Sequence, residues 1–119
     1  MSNTNTIVDL INAGIQAENL RQKAIASNFA NFETPGYRRV DVEFKELLAE
    51  CSGSSAGRDL SRLEPKFYEP KVTPVKADGN DVKIDYEVGQ LVKNSLRHKA
   101  YVRLLNKKYS QIELAIGTR

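Results

Sequence analysis

The sequence predicts a mainly α-helical protein in which long N- and C-terminal helices pair as a coiled-coil-like hairpin, with an irregular or short-β middle segment between them. Two observations predict the helices: small or apolar residues recur every three or four positions near the N-terminus, and a longer pattern of the same kind fills the C-terminal part of the chain. A third predicts the middle segment, because proline, glycine and serine interrupt any regular period there.

The first helix is expected over roughly residues 6–32. Its packed face is Leu10, Ala13, Ala17, Leu20, Ala24 and Ser27. The steps of three and four residues are those of one helix face against a partner, and the alanines allow a close approach. Pro35 has no backbone donor and disfavours helix at Thr34, so the helix must end before this point. Gly36 suits the positive φ of a type II turn.

The second helix is expected over roughly residues 82–117. Its apolar seam takes alternating steps of four and three residues, which is the period of a coiled coil. The seam comprises Ile84, Val88, Leu91, Ser95, His98, Val102, Leu105, Tyr109, Ile112 and Ile116. The first turns carry acidic residues and the later turns carry lysines, and both placements suit the helix macrodipole.

The segment between the helices has a different composition. Residues 33–50 hold the turn and a following stretch, and residues 51–80 are expected to be flexible or extended. Ser52–Gly57 is typical of a loop, and Pro65, Pro70 and Pro74 exclude helix. At 119 residues, the whole chain 1–119 is predicted to be a single subunit with a thin core.

Residues that could carry catalysis or bind a metal do not converge in any motif. His98 is the only histidine and Cys51 the only cysteine, so an internal disulfide and multi-histidine or cysteine-based metal sites are excluded. Asp41, Glu43 and Glu46 follow the turn, where a solvated or interfacial patch is the favoured interpretation. We therefore expect no catalytic residues, no metal, no cofactor and no enzymatic activity.

A basic face lies on the second helix, opposite the apolar seam. It comprises Lys93, Arg97, Lys99, Arg103, Lys107 and Lys108, with no acidic residue between Val88 and Ile112. A solvated face, an acidic protein partner and a nucleic acid would each account for it. The net charge of +3 is small and no helix-turn-helix or zinc motif is visible, so no nucleic acid is expected.

The stretch from Ala26 to Tyr37 closely resembles the N-terminal signature of the flagellar rod and hook family. The matching residues are Asn28, Ala30, Asn31, Thr34, Pro35, Gly36 and Tyr37. Phe29 stands where that family often has a β-branched residue, and Phe32-Glu33 replaces its usual pair. Val40–Leu48 and Gly79–Asp85 resemble the proximal-rod branch, so that residues 7–48 and 78–117 are covered.

The resemblance implies a structural subunit of the proximal rod of the bacterial flagellar basal body, which self-assembles and transmits torque. Its implied partners are copies of itself, the rod proteins FlgC, FlgF and FlgG, the adaptor FliE, the MS-ring protein FliF and the flagellar type III export apparatus. It also implies export to the periplasmic side of the inner membrane without a cleaved signal peptide. The N-terminus has no basic segment followed by an apolar run, which agrees with that route.

Within the family, Phe44 and Leu48 resemble a short element that early export substrates present to the export gate. The rod protein FlgC is the nearest alternative, but its C-terminal half usually lacks the Gly-Asn-x-Val-x-x-Asp entry found at Gly79–Asp85. Outside the family, the remaining alternative is a small basic helical nucleic-acid-binding protein.

Overall fold

Two long antiparallel helices form the body of the protein in a computed structural model, which describes residues 2–44 and 66–117. Helix α1 spans Ser2–Ala30 and helix α2 spans Ile84–Gly117. Gly14 faces Tyr101, whereas Asn28, nearer the end of α1, meets Glu87 at the start of α2. The helices therefore run in opposite directions, and the predicted helical hairpin with a short β segment is confirmed.

A small β-ribbon lies beside the helix pair. Strand β1 spans Asp41–Glu43 and strand β2 spans Lys66–Tyr68, paired antiparallel with Val42 opposite Phe67. Val42 and the next apolar residue, Phe44, are buried, and Phe44 packs on Ala13 and Ala17 of α1. The ribbon thus closes over the small-residue face of α1.

Helix α1 ends at Ala30, two residues before the expected boundary, because its last amides turn to nearer carbonyl groups. The Thr34 amide donates to the Asn31 carbonyl at 3.1 Å, which tightens the chain into the turn that follows. Helix α2 begins at Ile84, two residues after the expected boundary. The Val82 amide is held instead by the Asn80 side chain at 2.7 Å, so the chain becomes helical only after this contact.

The buried apolar set is short among the described residues. It comprises Ile11, Ala13, Ala17, Ala24, Ile25, Val42, Phe44 and Val82. Within that part of the chain, no helix is long and apolar enough to cross a membrane. Glu46, Leu48, Cys51, Ser52–Gly57 and Pro65 lie outside the described residues, and so do the predictions made for them.

Candidate functional site: a buried polar network and an exposed helix face

Asn28 lies at the centre of a polar network that joins the end of α1 to the following chain. Its Nδ2 donates to the Val40 carbonyl at 3.0 Å and to Glu87 Oε2 at 3.2 Å. Its Oδ1 accepts from the Val40 amide at 2.9 Å and from the Tyr37 hydroxyl at 3.0 Å. Because Asn28 is fully buried, each of these bonds replaces water that the groups have lost.

The Thr-Pro-Gly-Tyr segment forms the type II turn that its sequence predicts. The Tyr37 amide donates to the Thr34 carbonyl at 3.2 Å, and Gly36 has a φ of 75°. The Gly36 amide donates to the Asp78 carbonyl at 2.9 Å, which fastens the turn to the chain that leads into α2.

Asn80 completes this fastening from the side of α2. Its Nδ2 donates to the carbonyl groups of Asn31 and Thr34, both at 2.8 Å, and Asn80 is fully buried. A side chain added at Gly79 would place its Cβ 3.3 Å from the Gly36 Cα, so the absence of a side chain at Gly79 permits the close approach. The family motif therefore connects the two helices through backbone groups.

The turn makes a matched prediction for two glycines. Gly36→Ala should destabilise the protein by about 1–2 kcal/mol, because an L-residue is strained at a positive φ. Gly89→Ala, within α2, should stabilise it by about 0.5–1 kcal/mol through helix propensity. A Cβ meets nothing within 4 Å at either position, so the backbone conformation alone distinguishes them. Urea unfolding of both variants measures the difference. A change in the free energy of unfolding that has the same sign in both variants would contradict the prediction.

Arg39 and Glu87 form a buried ion pair next to this turn. The Arg39 Nε donates to Glu87 Oε1 at 2.8 Å, and Asp41 Oδ2 lies 3.5 Å from the guanidinium. Burial by itself lowers the pKa of Arg39, but the hydrogen bond and charge of Glu87, with the charge of Asp41, outweigh it and raise the pKa. The Tyr86 ring lies 4.7 Å from the guanidinium carbon and adds a cation–π contact.

Asp81 contributes a second buried carboxylate at the same end of the helix pair. Its Oδ1 accepts from the Arg39 amide, and its Oδ2 lies 3.2 Å from the Arg38 Nε. That ion pair lacks the alignment of a hydrogen bond, so the interaction is mainly coulombic.

Glu18 is the centre of a separate network farther along the helices. Its Oε1 accepts from the Arg97 Nε at 2.6 Å and also contacts Arg21. The Asn94 Nδ2 donates to Glu18 Oε2 at 3.0 Å and to the Glu18 carbonyl at 2.7 Å. Glu18 is 1% exposed, and it is thus a buried carboxylate held by an amide and a guanidinium of the other helix.

Large apolar residues are exposed along the length of α2. The residues of α2 that are buried are polar, Glu87 and Asn94. Its exposed large apolar residues include Val88, Leu91, Val92, Leu96, Val102, Leu104, Tyr109, Ile112 and Ile116. An apolar surface of this length on one helix is typical of a protein that packs against another chain.

Comparison with known proteins identifies the family. A flagellar basal body rod protein FlgB from Cereibacter sphaeroides is 34% identical over 107 residues, which cover 81% of this chain and 82% of that protein. The chain belongs to the FlgB family. The FlgB protein of Bacillus subtilis strain 168 is 28% identical over 93% of this chain and 92% of its own length, and that of Borrelia hermsii is 24% identical over 92% and 94%. No protein-family model matches the chain.

The predicted resemblance to the proximal-rod branch is therefore confirmed, and FlgB-family proteins are structural proteins of the flagellar basal body rod. The motif residues are brought together with one exception. Ala30 is exposed on α1, while the other motif residues take part in the turn and its hydrogen bonds.

The two halves of the predicted subunit-packing seam differ in burial within this FlgB-family chain. Ala13, Ala17 and Ala24 are buried, and Leu10 and Leu20 are partly exposed. On α2 most seam residues are exposed. The α2 residues that contact α1 include Glu87, Asn94 and Tyr101. Each of them lies one residue before a seam residue, namely Val88, Ser95 and Val102. The seam on α2 is thus open to solvent in the single chain, and its packing between subunits stays a prediction.

The remaining sequence-predicted residues lie apart from one another. Phe44 is buried against α1, and Leu48, its partner in the proposed export element, falls outside the described residues. Arg97 of the basic face is engaged by Glu18, whereas Lys99 and Arg103 are exposed. Among residues 2–44 and 66–117, no three histidine, cysteine or carboxylate side chains are grouped to hold a metal.

Several residues of the network escaped the sequence analysis. Glu18, Arg39 and Asn94 belong to none of the residue patterns on which the sequence predictions rest. A usable signal existed, because Glu87, Asn94 and Tyr101 are spaced by seven residues on α2. The apolar seam, which lies one position later along α2, is the stronger pattern, so the prediction followed the seam and not this seven-residue spacing.

Proposed function

We propose that this chain is a structural subunit of the proximal rod of the flagellar basal body, where it acts as one unit, assembles with other rod subunits and transmits torque. The observation that carries the proposal is the apolar surface of α2, whose described residues from Val88 to Ile116 include many exposed large apolar side chains. The rod name of its relatives supports the same role. The role requires no enzymatic activity and no cofactor.

The proposed partners are copies of this chain, FlgC, FlgF and FlgG along the rod, and FliE and FliF at the membrane side. Contacts that do not close a ring generate a helical assembly, which a rod requires. We place the chain on the periplasmic side of the inner membrane, exported by the type III apparatus without a cleaved signal. Phe44 and Leu48 are the proposed export element.

The seam supplies the test of this function. Deleting the gene should abolish swimming and basal-body assembly, and the unaltered gene should restore both. A gene encoding Tyr109→Asp should fail to restore them, because the charge would be buried without a partner in a packed subunit interface. Tyr109 is 49% exposed in the single chain, so the purified variant should keep its helicity and its midpoint of thermal unfolding.

The matched control is Ser110→Asp at the neighbouring exposed position, which lies off the seam. This variant should restore swimming. If the Tyr109→Asp and Ser110→Asp genes each restored swimming, the packed seam between subunits would be contradicted. Normal basal bodies in the deletion strain would contradict the rod function itself.

A further inference from the structure

One strip of α2 points directly away from α1 and combines aliphatic with basic side chains. Asn94 marks the side of α2 that contacts α1, because it is buried and donates to Glu18. At about 100° per residue, the residues centred opposite Asn94 follow one another in steps of three and four. All of them are exposed, and none belongs to the apolar seam. This outer strip comprises Val92, Leu96, Lys99, Arg103 and Lys107.

The outer strip lies in the part of the chain that carries its positive charge. No acidic residue occurs between Val88 and Ile112, whereas the rest of the chain has more acidic than basic residues, so the net charge of +3 originates here. Within the described part of the chain, the three cations of the strip form no ion pair, in contrast to Arg97, which Glu18 holds. Their charge is therefore available to an anionic partner.

The composition of the outer strip distinguishes between anionic partners. Its aliphatic members are well exposed, Val92 by 54% and Leu96 by 63%. The strip contains no aromatic residue on which a base could stack, and a duplex would offer charge but no apolar surface to these two side chains. An anionic bilayer offers both, since its phosphates attract the cations and its acyl boundary accepts aliphatic groups.

We propose that the outer strip docks α2 lengthwise on the surface of an anionic lipid bilayer. The strip covers fifteen residues of rise, which is about 22 Å of helix. Val92 and Leu96 enter the boundary between headgroups and acyl chains at one end of the strip. Lys99, Arg103 and Lys107 follow them, with their apolar stems along the surface and their charges at the phosphates. The proposal concerns the single chain and does not depend on the rod function.

Flotation of the purified chain with lipid vesicles tests this docking. The chain should bind vesicles of phosphatidylcholine with about one quarter phosphatidylglycerol, and it should leave vesicles of phosphatidylcholine alone unbound. Raising the salt from about 0.1 M to about 1 M should weaken the binding by about tenfold or more, because the screening length falls from about 10 Å to about 3 Å.

Variants of the strip then separate its two components. Lys99→Gln with Arg103→Gln should lower the partition coefficient by about thirtyfold, since each cation near an anionic surface contributes about fivefold. Leu96→Ser should lower it by about fivefold with an unchanged salt dependence. The matched control is Lys23→Gln with Lys83→Gln, which removes the same charge at two exposed positions outside the strip. It should change the coefficient by less than about threefold.

The charge-conserving swap Lys99→Arg with Arg103→Lys should bind as the unaltered chain does, and circular dichroism should show the same helicity in every variant. Four results would overturn the proposal: flotation that is equal with neutral and anionic vesicles, an equal loss in the two glutamine variants, unchanged binding in Leu96→Ser, or a loss in the swap. Equally tight binding to duplex DNA at the same salt would also overturn it, because the strip would then recognise polyanions in general.

Discussion

Replacing Asn28 with leucine is expected to lower the free energy of unfolding by about 3 kcal/mol or more. Leucine has a similar volume but cannot donate or accept a hydrogen bond. The substitution would leave the amide and carbonyl of Val40, the Tyr37 hydroxyl and Glu87 each short of one partner in a buried site. The change in the urea midpoint at an unchanged slope measures the effect.

Asn19→Leu is the matched control for that prediction. Asn19 lies on the same helix and is exposed, so the same chemical change should alter stability by no more than about 0.5 kcal/mol. If both leucine variants unfolded at the same urea concentration, the hydrogen bonds of Asn28 would not be the reason for its place in the motif.

Glu87→Leu is expected to cost about 3–5 kcal/mol, because it leaves a buried guanidinium without its carboxylate. Arg39 is 3% exposed, and burial would then act on its charge with Asp41 and the Tyr86 ring to offset it. The double variant Glu87→Leu, Arg39→Leu should recover part of the loss, since the unpaired charge is then removed. Thermal and urea unfolding of the single and double variants measure this difference.

Glu113→Leu on the exposed end of α2 provides the comparison for Glu87→Leu. Its carboxylate is in solvent, so the change should be within about 0.5 kcal/mol. A double variant no more stable than Glu87→Leu alone would show that packing around position 87, rather than charge compensation, determines the loss.

The sequence was sufficient for the helices and the turn, since both depend on local chemistry. Steps of three and four residues identified α1 and α2, and Pro35 with Gly36 identified the type II turn. The β-ribbon was less accessible, because its three-residue strands are too short for a period to emerge. The start of α2 shifted by two residues because the Asn80 side chain captures the Val82 amide.

The polar network could not be derived from the sequence, because its partners are distant along the chain. Asn28 and Glu87, or Glu18 and Arg97, meet only once α1 and α2 are aligned. Apolar periodicity identifies a helix face, but it does not indicate which polar residue lies at the contact between two faces. The seam on α2 was therefore placed one residue beyond the positions that meet α1.

The pairing of β1 with β2 has a consequence for changes in the length of the chain between them. Glu43 and Lys66 are paired across the ribbon, so the chain departs from the helix pair and returns to it at adjacent points. Chain inserted or removed between such points changes the entropy of closing the loop only slowly with length, and it leaves the distance between the two anchor points unchanged. The ribbon thus makes the geometry of the helix pair independent of the length of the chain between β1 and β2. That intervening chain can change in length and sequence while α1 and α2 keep their arrangement.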